Sequence, residues 1–489
     1  MAHLPAPGRT GVRIAGDIYQ WAIGWQGCVT LLRDHVARAS NPVIEVGVEV
    51  DGAGNLDDVV LRRQTPPHTY TQVKYAVDSS SPVNETYLLQ STTAAGRSIL
   101  RKISEAWRHL SDVGAPVDLE LVTNRAPDPS DPLVSLRDSR TGLLMPKAGF
   151  QTSSSARGAA RIRWATGTGL TVDDLLQMLS VLRFDLARDP THLHEVVSLQ
   201  MLAAGLRHDD TAVHAGADWV ARQVRDGHQT LDFAAVQQAV ETLRLRAGPP
   251  RTVVSIATLK PDPAAQDADY KIDWVERFDG RSAFLKRRPK PPATWAELQA
   301  EVEAIPDHLP SGSAAVALTG SFRQATAFLV GSALRMVTGV DLAVNQRGQL
   351  WSTATHYQHP ITPQAEEHQL GQGTDLAIAI AIATDPTKDV LDFIRAHNLT
   401  AERLLVLNPA GGPRDTAVPD AAAANALAVG LRDTARRAST SNSRIHLFLA
   451  GPMGLALLLG HRWNRLRPTV VYEDVQGPQN YEAAFTIDA

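Results

Sequence analysis

An alternation in the C-terminal part of this sequence constrains the fold more than any other feature. From about residue 312 onward, strand-length apolar runs each lead into a helix-length run: AAVALTG into SFRQATAFLVGSALRMV, DLAIAIAIAT into TKDVLDFIRAHN, RLLVLNP into AAAANALAVGLRDTARRA, and RIHLFLAG into MGLALLLGHRWN. A last strand, TVVYEDV, follows. Strands joined through helices pair in parallel, which predicts a doubly wound α/β sheet. In such sheets ligands sit beyond the carboxyl ends of the strands, where helix N-termini offer free N–H groups to anions. The turns LTGSFRQ, with Arg323, and LAGPMG, with Gly451 and Pro452, are therefore the expected ligand positions.

The rest of the chain has a different rhythm. With 489 residues it is too long for one ordinary core, so two or three domains are expected. In GDIYQWAIGWQGCVTLLRDHVARA, Ile18, Trp21, Ala22, Trp25, Val29, Leu32 and Val36 recur at helical spacing, with Gln20 near the start of the helix. Strand signals follow in VIEVGVEV, DDVVLR and YTQVKYAV, then a helix around ILRKISEAWRHL and a strand DLELVTN. Residues 171–246 read as helical without strands, an appendage on a core spanning residues 1–155. The KRRPK run near residue 288 offers contacts for phosphate but reads more readily as solvated linker into a second domain at 250–489.

Composition removes several function classes. The single cysteine, Cys28, excludes an intramolecular disulfide and a cysteine-based zinc site and fits a reducing cytoplasm. A net charge of −4 argues against a generally basic nucleic-acid coat while leaving a local basic channel open. The start, MAHLPAPGRTGVRI, lacks the build of a signal peptide, and the run LFLAGPMGLALLLG is short and broken, so no membrane span is expected. GQGTD lacks the spacing of a dinucleotide fingerprint, neither GxSxG nor GxxxxGK[ST] occurs, and HLH at 192–194 has the wrong period for two ligands on one helical face.

One short constellation carries chemistry. In LDDVVLRRQTPPHTYTQVKYAV, residues two apart on a strand share a face, so Gln72 and Lys74 point together, and a hairpin through QTPPH brings Asp58 beside them. A carboxylate, a second oxygen ligand and a lysine within mutual reach form a kit for Mg²⁺-assisted phosphodiester hydrolysis. From spacing alone the same residues read more readily as a polar turn and an exposed strand.

The pattern GDIYQ on a helix, then an acid, DD and QVK on neighbouring strands, then AW and LVTNR, resembles the nuclease domain of the PD-(D/E)xK superfamily in its QxK form. The nearest likeness is to the double-stranded-DNA endonuclease domain of bacterial CBASS anti-phage effectors. Carried onto this sequence, the resemblance implies a restriction-endonuclease-like α/β domain over residues 1–246. Asp58 would bind metal, Gln72 would stand at the usual second acidic position, and Lys74 would be the catalytic lysine. Glu49 or Glu45 would add a carboxylate, and Gln20 would be the helix glutamine. Asp57 competes with Asp58 for its role, and glutamine in place of an acid gives the metal one charge fewer.

The C-terminal segments ALTGSFRQATAFLVGSAL, QLWS, LFLAGPMGLALLLGHRWN and VVYE resemble the SAVED domain, a cyclic-oligonucleotide sensor built as two fused halves related to CARF sensors. The resemblance implies a cyclic trinucleotide or a similar ligand. Arg323 would meet phosphate, Trp351 would stack on a base, and Gly451 and Pro452 would line the site. Read without the family, Arg323 fits a surface ion pair and Trp351 a core position.

The combined expectation is a cytoplasmic, Mg²⁺-dependent double-stranded-DNA endonuclease switched on by its nucleotide, with ligand-induced homo-oligomerisation. Two rivals stand beside it: a non-catalytic regulator that docks a partner, and a nucleotide-metabolising α/β enzyme.

Overall fold

The computed structural model describes residues 9–488 apart from 51–53, 55, 92–95, 112–113, 139, 263, 266–267, 311, 372 and 477–480. The first eight residues, within the stretch expected not to be a signal peptide, and most of the GAGN turn before Asp57 lie outside the described residues. The chain divides into two compact units, Met1–Pro250 and Arg251–Ala489.

The first unit contains α1 (Arg9–Ala37), β1 (Val43–Val48), β2 (Val59–Arg63), β3 (His68–Lys74), α2 (Glu85–Leu89), α3 (Ile99–Ser111), β4 (Val117–Thr123), α4 (Ala156–Thr168), α5 (Val172–Val181), β5 (Leu182–Asp185), α6 (Pro190–Ala203), α7 (Asp210–Arg225), β6 (Thr230–Asp232) and α8 (Phe233–Thr242). Its strands form one sheet in the order β5-β4-β3-β2-β1-β6. The β1-β2-β3 meander is antiparallel, while β3, β4 and β5 run parallel. Two cores cover the two faces. Trp25, Cys28, Val29 and Leu32 of α1 pack with Val73, Val122 and the α6–α8 helices. Leu119 and Leu121 pack with Ile103 of α3 and Trp164 of α4. Trp25 is fully buried and meets Trp219 of α7 edge to face at 6.1 Å, so truncating it would cost about 3–5 kcal/mol.

Three sequence expectations change here. The segment 171–246 is not strand-free, because β5 pairs with β4 at one edge of the sheet and β6 with β1 at the other. These strands are only four and three residues long and sit inside helical runs, too short to show a period of two. The segment therefore completes the sheet instead of hanging from it. Gln20 lies in the middle of a 29-residue helix, not near its start. The KRRPK run lies inside the second unit and is solvated only in part: Arg288 and Lys290 are exposed, but Lys286 is buried, and its ammonium donates to the carbonyls of Val275 and Phe278. Carbonyls left unpaired by an irregular, proline-rich backbone supply the partners that this charge needs.

The second unit contains β7 (Thr252–Ala257), β8 (Tyr270–Asp273), α9 (Trp295–Glu303), α10 (Ile305–His308), β9 (Ala315–Ser321), α11 (Gln324–Ala333), β10 (Asp341–Gln346), β11 (Gln349–Ser352), β12 (Gln364–Gln369), β13 (Asp375–Ala381), α12 (Thr387–Ala396), β14 (Ala401–Asn408), α13 (Ala421–Ala438), β15 (Ile445–Ala450), α14 (Met453–His461), β16 (Thr469–Asp474) and β17 (Tyr481–Ile487). The expected strand-to-helix alternation is present, divided between two sheets of order β11-β10-β9-β7-β8 and β12-β14-β13-β15-β16-β17. Each has a parallel centre and at least one antiparallel edge, giving two Rossmann-like halves. One apolar core runs through both, from Val254 and Leu318 to Ile378 and Leu447. Helices α11 and α14 join the halves at close range. A Cβ on Gly331 would strike the Leu457 carbonyl, and one on Gly460 the Phe328 carbonyl, so this contact requires glycine on both helices.

Candidate functional site

In the first unit, strand register assembles the site. Val48 pairs with Val59, and Val59 with Thr71. Continuing that register by one residue puts Glu49, Asp58 and Gln72 in a single cross-strand row, with Lys74 two residues on along β3. The row is held by backbone and side chain together. The Glu49 amide donates to the Asp58 carbonyl at 3.2 Å. Asp58 Oδ2 accepts from the Val73 amide at 2.6 Å and from Gln72 Nε2, and it stands 3.7 Å from Lys74 Nζ. From α1, Gln20 Nε2 donates to Glu49 Oε1 at 3.2 Å and to the Asp58 carbonyl at 3.4 Å. Asp58, and not Asp57, makes the contacts with Gln72 and Lys74. Glu45 is turned to an ion pair with Arg62 at 2.9 Å, apart from this set.

The electrostatics are those of crowded like charge. Burial raises the Glu49 carboxyl above its ordinary range, and Asp17, Asp58 and Asp57 raise it further. Burial likewise raises Asp57, with Asp58 adding to the effect. The Lys74 ammonium is pulled below the usual lysine range by burial, with Asp58 opposing the change and Lys102 reinforcing it. Opposed shifts of acid and amine within one small site favour proton-transfer chemistry.

The donor set suits a hard divalent cation. Its atoms are oxygens, its carboxylates repel one another, and reversing the Gln72 amide would present Oε1 in place of Nε2. Among the described residues no three His, Cys, Asp or Glu side chains stand close enough to hold a metal ion by themselves. Two carboxylates and an amide oxygen are what the glutamine at position 72 leaves. Sequence reasoning missed Asp17 and Lys102. Asp17 precedes Gln20 by three residues on the same helix, a spacing that signals a shared face.

In the second unit a cavity of about 260 Å³ opens at the carboxyl end of β10 and just beyond that of β15. It is lined by Arg347, Gln349 and Trp351 of the β10–β11 hairpin, by Val418 and Pro419 before α13, and by Pro452 before α14. Trp351 is only 3% exposed and packs into the apolar core as well as against the cavity, and among the described residues its buried indole N–H has no hydrogen-bond partner. Trp351 and Pro452 thus share the cavity, and Gly451 lies next to it.

Arg323 does not line this cavity. Its guanidinium donates to the carbonyls of Lys286 at 2.8 Å and Phe284 at 3.3 Å. Nor are the two expected anion seats free. At α11 the Ala325 amide donates to the Glu473 carboxylate at 3.1 Å. At the LAGPMG turn the Gly451 amide donates to Gln324 Oε1 at 3.0 Å, and the Gly454 amide to Gln346 Oε1 at 2.8 Å. One first-turn amide of each helix, and the Gly451 amide before α14, are thus taken by the protein's own side-chain oxygens. Complete burial pushes Glu473 up to about 7. Arg347 is the cation at the cavity, and sequence reasoning missed it.

Residues 298–487 match the SAVED family, described as the SMODS-associated and fused to various effectors sensor domain. The chain is 23% identical over 469 residues to CD-NTase-associated protein 4 of Enterobacter hormaechei subsp. hoffmannii, covering 89% of this chain and 92% of that protein. Among solved structures it is similar to the Acinetobacter baumannii Cap4 SAVED/CARF-domain containing receptor with the cyclic trinucleotide 2'3'3'-cAAA. There the TM-score is 0.44, the identity 16% and the coverage 100% of both chains. The Moraxella osloensis Cap4 receptor gives a TM-score of 0.41 at 15% identity, covering 97% of this chain and 99% of that one. The expected resemblance to a CBASS effector with a C-terminal SAVED sensor is borne out by the family match and the full-length relative.

Proposed function

We propose that the chain is a metal-dependent double-stranded-DNA endonuclease governed by a cyclic oligonucleotide bound to its SAVED domain. The observation that carries the nuclease half is the Glu49–Asp58–Gln72 row with Lys74 at 3.7 Å from Asp58. Asp58, Glu49 and the Gln72 carbonyl would hold Mg²⁺, which when bound supplies Lewis-acid stabilisation of charge on a phosphate. Gln20 orients the Glu49 carboxylate from α1. Lys74, shifted toward neutrality, is suited to take a proton from water or, while charged, to hold a phosphate oxygen.

The ligand half rests on the cavity at the strand ends and on the SAVED match, and the cyclic trinucleotide named with the Acinetobacter receptor suggests the ligand class. Because an unrestrained nuclease endangers its own host, the resting state is off. One acid and QxK set per chain cuts one strand at a time, so ligand-driven association of chains in the cytoplasm would supply the second site. Among the described residues no helix is long and apolar enough to cross a membrane.

Digestion of plasmid DNA with Mg²⁺ against a panel of cyclic di- and trinucleotides tests the reading. Cleavage that needs both the metal and one panel member is expected. Tight binding of a panel member with no cleavage under any condition would leave the docking regulator instead, and turnover of the nucleotide itself would leave the metabolic enzyme.

A further inference from the structure

We infer that Arg347 is the phosphate anchor of the ligand cavity and that Asp415 holds it in check until ligand arrives. The inference rests on the sensor reading above and adds a residue and a competing contact that the reading does not contain.

Arg347 sits where arginine is a poor local choice. Gln346 and Gln349 close the β10–β11 ladder, so Arg347 and Gly348 form a two-residue turn. Both have positive φ, 54° and 76°. Such turns favour Asn, Asp or Gly at the first position, because a Cβ is strained there. A side chain kept in a strained backbone well at the mouth of a cavity points to a task for that side chain.

Its present partners show what the task competes with. The guanidinium donates to the Asp415 carbonyl at 2.9 Å and stands 3.8 Å from the Asp415 carboxylate. Asp415 belongs to the connection that also supplies Val418 and Pro419 to the cavity. That connection is pinned by the Arg414 amide on the Ile382 carbonyl at 2.8 Å and by the Ala417 amide on the Arg414 carbonyl at 3.0 Å. A clasp thus joins the two halves across the cavity mouth. Its side chains are 59% and 79% exposed, so the ion pair is weak and readily exchanged. A phosphate diester offers guanidinium the same geometry as a carboxylate.

The cavity itself is too small for a whole cyclic trinucleotide and suits a single base with its sugar. Trp351 and Pro452 wall the space for that base, and the adjoining phosphate then falls to Arg347 at the rim.

Calorimetry with the tightest-binding member of a panel of cyclic di- and trinucleotides tests this. Asp415→Asn keeps the backbone carbonyl and removes only the competing charge, so binding should tighten about two- to fivefold. Arg347→Gln should weaken binding roughly tenfold or more, with partial recovery in Arg347→Lys. In the Arg347→Gln background, Asp415→Asn should no longer change affinity, because the two act through one contact. An Asp415→Asn protein that binds no tighter than the parent, or a gain that persists without Arg347, would overturn the inference. A parent protein that binds no member of the panel would instead remove the sensor reading on which it stands.

Discussion

The two candidate sites are made of opposite materials. The N-terminal row gathers Asp17, Glu49, Asp57, Asp58, Lys74 and Lys102 within electrostatic reach of one another, and burial shifts several of them away from their ordinary charge states. The C-terminal cavity is walled by an indole, prolines, a valine and amides, with Arg347 at its rim. The Gly451 and Gly454 amides beside it already have partners in Gln324 and Gln346. Frustrated charge raises the free energy of the resting protein and is relieved by a cation or by a reacting phosphate, which suits catalysis. A largely neutral pocket with an arginine at its rim suits recognition of an intact molecule. On the proposed function, the pair of sites would divide the labour into doing and sensing.

The sharpest way to break that division is to disable one site and measure the other. Lys74→Ala and Asp58→Asn should each lower plasmid cleavage by about a thousandfold or more, since they remove the amine and the central carboxylate of the row. Cyclic-nucleotide affinity should stay within about twofold of the parent, as the changed groups and the cavity belong to different compact units. Gel-based cleavage rates and calorimetry on the same preparations decide it. Parental cleavage by both variants would strip the row of its role, and lost ligand binding in a folded variant would deny the separation of the sites.

The reciprocal experiment has a smaller expected effect. Trp351→Ala should weaken ligand binding roughly ten- to a hundredfold by removing the indole wall of the cavity. At saturating ligand the cleavage rate should return to the parental value. Arg323→Ala should change affinity by about threefold at most, because that guanidinium is spent on the Lys286 and Phe284 carbonyls. If Arg323→Ala proves as damaging as Trp351→Ala, the ligand reaches the LTGSFRQ turn and the pocket extends beyond the cavity described.

Legibility in the sequence follows the same divide. The α/β alternation after residue 312 could be read because each strand is a continuous apolar run followed by a full helix. The four- and three-residue strands β5 and β6 could not, since a period of two needs more residues to declare itself. Gln72 and Lys74 were visible as neighbours on one strand, and Asp58 through the hairpin. Asp17 and Lys102 come from two helices, and only tertiary packing brings them near the row. Arg323 stands out in the sequence because a strand-to-helix turn is an anion seat in general. The competing fact, that Glu473 from the other half fills that seat, depends on a contact across 148 residues. Arg347 was overlooked because nothing local reveals that the RG turn faces the loop carrying Asp415.

Glu473 offers the mildest test of the comparison and the one with a definite sign in pH. The carboxyl is completely buried at the N-terminus of α11, and burial pushes it up to about 7, with the Ala325 amide and Arg323 pulling the other way. In the unfolded chain an ordinary glutamate titrates near 4.3. A carboxyl raised in the folded state is bound to its proton more tightly there, so folding is unaffected by this group at pH below the unfolded value. The penalty grows as pH rises between the two values and is fully present above the folded one. Glu473→Gln keeps an oxygen for the Ala325 amide and cannot ionise. It should therefore raise the melting temperature of the second unit by several degrees at pH 8 and leave it nearly unchanged at pH 4. Scanning calorimetry across that window reads the difference directly. A variant destabilised at pH 8 would mean that the ionised carboxylate is held there by Arg323 and the helix end. The second unit would then, like the first, contain a charge kept for use.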